Sequence, residues 1–385
     1  MINILLNIFG ITLIVKWFKN EVKDYKVLNS KTNYFKFKRF KYLILSAFLI
    51  GIPLLVVNFT NIETVNHISD KILQKNKVIY AFITSLFITI VWLIYVYSLD
   101  IFDKEKKRHL LLILFLTSLI TSYAQIPYQF IHSLGFVNSQ NIFDGFIYSV
   151  FGIGFIEETV KFIPLLIILW FTKAIDEPYD YILYASVSAL GFSFIENAMY
   201  LNQHGLEIIS ARALYATVAH MTFSTVIAYG LFLIKYKKTK VPSILVFLFF
   251  YFLAIFSHGF YDFWLINKAV AKFSGLTTLF FLMTIHIWFI MKNNAINASN
   301  YFNDTKTINN DKLKVYLIIS LLSIFMFSYV YVAFKWNSKS ANLFFIKSIY
   351  SYGFIICYLI ATLSKYNVIK GVFFSFKHNK FKSKK

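Results

Sequence analysis

The sequence predicts an all-α protein, a polytopic bundle of about eleven transmembrane helices with its N-terminus outside and its C-terminus cytoplasmic. Three observations carry that expectation. Of the 385 residues, 58% are hydrophobic and only 15% are charged, and the apolar residues gather into runs long enough to cross a bilayer. A soluble domain is about 45–50% apolar and roughly one quarter charged, and a globule of this size cannot hide so much apolar surface in one or two cores. The same figures exclude disordered, collagen-like and disulfide-framework chains. The single cysteine, Cys357, leaves no internal disulfide and no Cys-rich zinc site. A net charge of +21 would suggest nucleic acid in a soluble protein. Here the lysines and arginines lie in loops between apolar runs, so the expected partner is the lipid bilayer and not a nucleic acid.

A hydrocarbon core about 30 Å thick needs roughly 20 apolar helical residues. The runs that meet this are 2–18, 42–59, 78–99, 110–131, 145–171, 180–202, 212–234, 242–266, 275–292, 315–334 and 344–363. The first is short, but it has no basic start and no small-residue cleavage site, so it reads as a helix and not as a signal peptide. With the N-terminus outside, the inner segments carry 28 Lys/Arg and the outer segments 8. That bias is the positive-inside pattern and sets the orientation. Three regions follow: N-terminal spans over 1–77, a core over 78–266, and C-terminal spans with a basic tail over 267–385. The loops are too short for a separate soluble domain, so any chemistry belongs inside the membrane or at its edge.

Ionisable side chains are costly within a bilayer and face a bundle interior or a cavity. They cluster in four consecutive spans: Glu157, Glu158 and Lys161 in GFIEETVKF, Glu196 and Asn197 in GFSFIENAMY, His220 in YATVAHMTF, and His258 and Asp262 in FSHGFYDFW. At about 1.5 Å per residue, Glu157, Glu196, His220 and His258 all fall roughly 9–18 Å below the outer surface. Lys161 is three and four residues from the two glutamates, and Asp262 is four from His258, so each pair shares a helix face. Phe192, one turn before Glu196, is placed to wall that carboxylate. Taken singly, each residue has a structural reading. A membrane histidine often bonds a neighbouring helix, Glu157 with Lys161 can be an ion pair, Asp262 can be wetted near the span end, Asn197 reads as a helix contact and Arg212 as a membrane-edge anchor. His286, without an acidic neighbour, reads as structural. Together, the acids and imidazoles in one layer point to one site.

At these residues the sequence resembles the PrsW family of intramembrane proteases, distant relatives of the CAAX prenyl protease and bacteriocin-processing group. The resemblance rests on EETVK at 157–161, DEPYDYILYASVSALGFSFIENAMYL at 176–201, RALYATVAH at 212–220 and HGFYD at 258–262, in that order. It covers roughly residues 95–265. The family's early acidic element appears here as DIFDKEKKR at 100–108, without its prolines. The resemblance implies hydrolysis of a peptide bond in a membrane-anchored protein such as an anti-sigma factor, in the plasma membrane of a bacterium.

The residues fit that chemistry, which needs a base for water, an acid for the leaving amine and charge stabilisation for the oxyanion. Two versions stay open. In one, His220, His258 and Glu196 hold Zn²⁺ while Glu157 or Glu158 deprotonates the bound water. In the other, no metal is present: a glutamate with His220 activates water, and His258 with Asp262 organises the oxyanion site. A proton- or cation-coupled transporter is the alternative, since midplane acids and histidines also serve coupling. Transporters commonly carry paired repeats, and no repeat is evident here.

Overall fold

The computed structural model describes residues 37–60, 76–139, 141–237, 241–302 and 308–366; every described element is helical or a connecting turn. The helices are α1 (Phe37–Phe59), α2 (Lys77–Ser98), α3 (Lys107–Ser122), α4 (Gln125–Ser133), α5 (Ile142–Ile147), α6 (Phe155–Phe171), α7 (Pro178–His204), α8 (Thr217–Tyr236), α9 (Ser243–Ile266), α10 (Gly275–Asn297), α11 (Asn310–Lys335) and α12 (Ser338–Leu363). Among the described residues, eight helical stretches are long and apolar enough to cross a membrane, and α3 with α4, bent by 42°, makes a ninth. The expected span 145–171 is helical throughout but compound. A π-helical turn, Tyr148–Gly154, separates α5 from α6, and α6 alone has only 17 residues. The expected first span, 2–18, lies outside the described residues.

The outward faces are apolar, as a lipid-facing surface requires. Phe249, Phe252, Phe256 and Leu265 of α9, and Leu343, Ile346 and Ile349 of α12, are exposed. α7 is the opposite case, buried on all sides from Pro178 to Phe194, which makes it the central post of the bundle. Its start is locally encoded. Pro178 occupies the first turn, the Glu177 side chain caps the helix, and the Asp180 carboxylate accepts from the backbone of Asp176 at 3.0 Å and of Glu177 at 2.8 Å. Gly205 ends it at φ +93°, a backbone region that glycine enters without Cβ cost.

Small residues on α7 let its neighbours come close, the device membrane helices use in place of a hydrophobic drive. A Cβ on Gly191 would meet the Leu114 carbonyl of α3 at 2.5 Å. Ser118 of α3 donates to the Gly191 carbonyl at 3.0 Å, and Ser188 donates to the carbonyl of Lys161 at 2.5 Å. α9 meets the π turn in the same way. A Cβ on Gly154 would lie 2.6 Å from the Ile255 carbonyl, and one on Gly259 would run into the backbone of Val150 and Ser149. The helices carrying Lys161 and His258 are thus fixed by backbone-to-backbone contact.

At the opposite end of α7, the acidic element of 100–108 folds over the helix start. Asp100 accepts from the Glu105 backbone at 2.7 Å, Glu105 accepts from the Tyr184 hydroxyl at 2.7 Å, and Glu177 accepts from Ser299 at 2.6 Å.

Candidate active site

Glu158 is the anchor of the site. It is fully buried, and its carboxylate is saturated: Oε1 accepts from Lys161 Nζ at 2.8 Å and His258 Nδ1 at 2.7 Å, and Oε2 from Ser224 at 2.8 Å. Its bond to Nδ1 fixes the His258 tautomer and turns Nε2 toward the open side. There, Nε2 lies 3.4 Å from Glu157 Oε2 and 3.4 Å from Asp262 Oδ2. The ring of Phe223 stacks on His258 with centroids 5.3 Å apart, closing its other flank.

His220 stands beside it, ring centroids 5.1 Å apart. Lys161 donates to its Nδ1 at 2.9 Å, while its Nε2 donates to Glu196 Oε2 at 2.9 Å. Two opposite partners therefore hold the imidazole in a single tautomer. Glu196 is held in turn by the Arg212 guanidinium, which also donates to Asn197 Oδ1 at 2.6 Å and lies over the Tyr200 ring at 4.3 Å. Asn197 completes the clamp by donating to Thr217 at 3.0 Å. Phe192 walls His220 and Lys161, at 5.1 Å between rings and 4.3 Å from Nζ.

Glu157 is the exception in this saturated network. Its Oε1 accepts from the Tyr128 hydroxyl at 2.8 Å, but its buried Oε2 has no hydrogen-bond partner. That oxygen faces His258 Nε2, Lys161 Nζ at 3.7 Å and His220 Nδ1 at 3.9 Å. Donor atoms of Glu157, His220 and His258 lie within 4.8 Å of one another. Of these three residues, Glu196 bonds to His220, from the far side of the ring.

The site opens into a cavity of about 770 Å³. Glu157, Glu196, His220, His258 and Asp262 line its floor, whereas Glu158 and Lys161 lie behind it. The rim comes from the ends of α7, α9 and α10 and from α12, with Tyr200, Leu265, Gly275 and Tyr352 among its residues. All six expected acid and histidine residues come together, with Lys161 among them and Asn197 one step back through Arg212. Two participants escape sequence reasoning. Arg212 reads as an edge anchor, and Tyr128 sits in an ordinary apolar run; Pro127 just before it is the only local irregularity.

The family model described as "PrsW family intramembrane metalloprotease" matches residues 105–291. Protease PrsW of Oceanobacillus iheyensis is 29% identical over 195 residues, covering 49% of this chain and 85% of that protein. Protease PrsW of Bacillus subtilis is 30% identical over 181 residues, covering 44% and 75%, and that of Clostridioides difficile is 28% identical over 176 residues, covering 44% and 71%. No solved structure matches the chain. The matched region contains every residue of the clustered site, and the chain belongs to the PrsW family of intramembrane proteases.

Proposed function

We propose that this protease hydrolyses a peptide bond of a membrane-anchored protein, anti-sigma-factor-like by family resemblance, in the plasma membrane of a bacterium. Glu157 is the carboxylate that meets the reacting water. The observation that carries this reading is the bare Glu157 Oε2, buried, without a hydrogen-bond partner and 3.4 Å from His258 Nε2 at the cavity floor. A buried carboxylate oxygen without a hydrogen bond is costly to keep, and a substrate water placed there satisfies it.

In this reading Glu157 takes the proton of the attacking water and returns it to the leaving amine. A His258 that carries a proton on both nitrogens throughout has its charge compensated by Glu158 at Nδ1, the role the buried aspartate has in a serine triad, and its Nε2–H hydrogen-bonds the oxyanion without being transferred. Asp262 steadies that ring edge. Arg212, Glu196 and Lys161 keep His220 from rotating, and the saturated floor excludes bulk water from the reacting atoms.

The donor set also fits a divalent ion. A tetrahedral ion with ligand bonds of about 2.0–2.1 Å keeps its ligand atoms roughly 3.3 Å apart, close to the 3.4 Å between Glu157 Oε2 and His258 Nε2. Four carboxylates (Glu157, Glu158, Glu196, Asp262) face two fixed cations (Lys161, Arg212), which leaves room for two positive charges. Glu157 and His258 are the residues with a free lone pair for such an ion; His220, the third member of the cluster, would join them once Lys161 releases its Nδ1, with Glu196 outside on its Nε2. When bound it supplies a water of lowered pKa and a Lewis acid for the carbonyl, and Glu157 then contributes ligation.

Access is from the outer leaflet, with the N-terminus outside. The cavity rim is built where loops 203–211 and 267–274 join their helices, and the charge bias puts both loops outside. The test is reconstitution with a single-span substrate. Glu157→Gln is expected to lower turnover by about 10²–10⁴-fold with the fold intact, and turnover equal to wild type refutes the assignment.

A further inference from the structure

The phenol of Tyr128 makes a bond that packing does not require. α4 buries none of its own residues, and Tyr128 is only partly buried, resting with Ile120 and Ile131 on a small cluster of Ala124, Ile156, Val160 and Phe192. Its hydroxyl nevertheless reaches 2.8 Å from Glu157 Oε1. Tyr128 lies on α4, just past the 42° bend between α3 and α4.

A carboxylate has two equivalent oxygens and a broad terminal torsion. With Oε1 free, nothing on the described side chains would decide which oxygen faces the imidazoles, and the group could turn toward Lys161 Nζ, 3.7 Å away. We propose that Tyr128 is a positioning residue for the reaction: its hydroxyl holds Glu157 Oε1 and thereby presents Oε2, unbonded, to the reacting water beside His258. This rests on the reading of Glu157 given above. The bent helix pair is then part of the catalytic apparatus, because its Tyr128 contact sets the orientation of the carboxylate.

The experiment measures kcat, KM and unfolding temperature for wild type, Tyr128→Phe, a form with 3-fluorotyrosine at position 128, and Glu157→Gln, all full-length with a single-span substrate. Phe keeps the ring and its packing but donates nothing. Tyr128→Phe is expected to lose about 10–100-fold in kcat with KM and unfolding temperature unchanged, and the fluorotyrosine form, which keeps a donor of greater acidity, is expected to shift kcat measurably while KM and unfolding temperature stay unchanged. A raised KM with normal kcat would make the phenol a substrate contact and overturn the proposal. So would normal kcat with a lowered unfolding temperature, which marks a structural role. If Tyr128→Phe does not fold, the fluorotyrosine form decides: a kcat that follows the altered acidity of its hydroxyl supports the proposal, and one indifferent to it refutes it. An inactive Glu157→Gln beside a normal Tyr128→Phe removes this inference alone, whereas an active Glu157→Gln removes the reading beneath it.

Discussion

Lys161 offers the sharpest test of the network, because stability and chemistry respond differently to its loss. Its ammonium is fully buried, 2.8 Å from Glu158 Oε1, 3.7 Å from Glu157 Oε2 and 2.9 Å from His220 Nδ1. At an effective dielectric of about 20, the Coulomb attraction at those two ion-pair distances is roughly 6 and 4.5 kcal/mol. Most of this is offset by the desolvation of the three groups, and deleting one partner of a buried pair leaves about 3–5 kcal/mol of destabilisation. Lys161→Met keeps the stem volume against Phe192 and removes the charge, so it isolates that term. The assay is reversible unfolding in detergent of Lys161→Met, Glu158→Gln and the double variant. The double variant is expected to be less destabilised than the two singles added together, by about 0.5–3 kcal/mol of coupling, since both charges leave at once. A single Lys161→Met that costs under about 1 kcal/mol, or singles that simply add, would refute the claim that this lysine neutralises the glutamate pair.

Three further outcomes follow from the same geometry. Arg212→Gln frees Glu196 and through it His220, and should lower turnover about 10–100-fold with little change in substrate capture, read as kcat against KM. Gly259→Ala drives a Cβ into the Val150 backbone, so it should cost about 1–3 kcal/mol in unfolding measurements and reduce activity by shifting the neighbouring His258. At the other end of α7, burial reinforced by neighbouring acids pushes Asp100 up to about 6 and Glu177 up to about 7, from 3.8 and 4.5. Folded-state values raised above the unfolded ones give stability that is complete at low pH and lost as pH climbs through the folded values. Wild-type unfolding temperature should therefore fall between about pH 4.5 and 8, and Asp100→Asn with Glu177→Gln should flatten that slope.

Most of the site is legible in the sequence because charge inside an apolar run is its own signal. Glu157, Glu158, Lys161, Glu196, His220, His258 and Asp262 stand out where a bilayer penalises them, and i, i+3 and i, i+4 spacing pairs them correctly within each helix. What spacing does not convey is which face each helix turns to the others. Glu157 and Glu158 are adjacent and look interchangeable, yet one is saturated by Lys161, His258 and Ser224 while the other keeps an oxygen bare. Phe192 is one turn from Glu196, and spacing alone does not reveal that its ring meets Lys161 and His220, because those residues arrive from other helices. Arg212 and Tyr128 are hidden for a related reason. An arginine at a span end and a tyrosine in a span are ordinary membrane residues until the bundle shows where their tips reach.

Among the described residues the helix widens into a π turn at two places, and both precede site residues. The π turns Tyr148–Gly154 and Arg212–Ala216 lie just ahead of Glu157 and His220. A π turn widens the backbone ring and shifts the register of everything after it, so a continuous 3.6-residue count through 142–171 or 206–236 misplaces one side or the other. The first turn sets Gly154 against the α9 backbone beside Gly259 while aiming Glu157 and Glu158 at His258. The second points the Arg212 side chain back at Glu196 while its carbonyl accepts from Thr217 at 2.8 Å, and it leaves His220 one helical turn further on, between Lys161 and Glu196. A regular helix satisfies helix packing or the polar layer, but here both are needed within a few residues of each other. The irregular turns lie where those demands meet, which is why the four short motifs converge although each sits on a different helix.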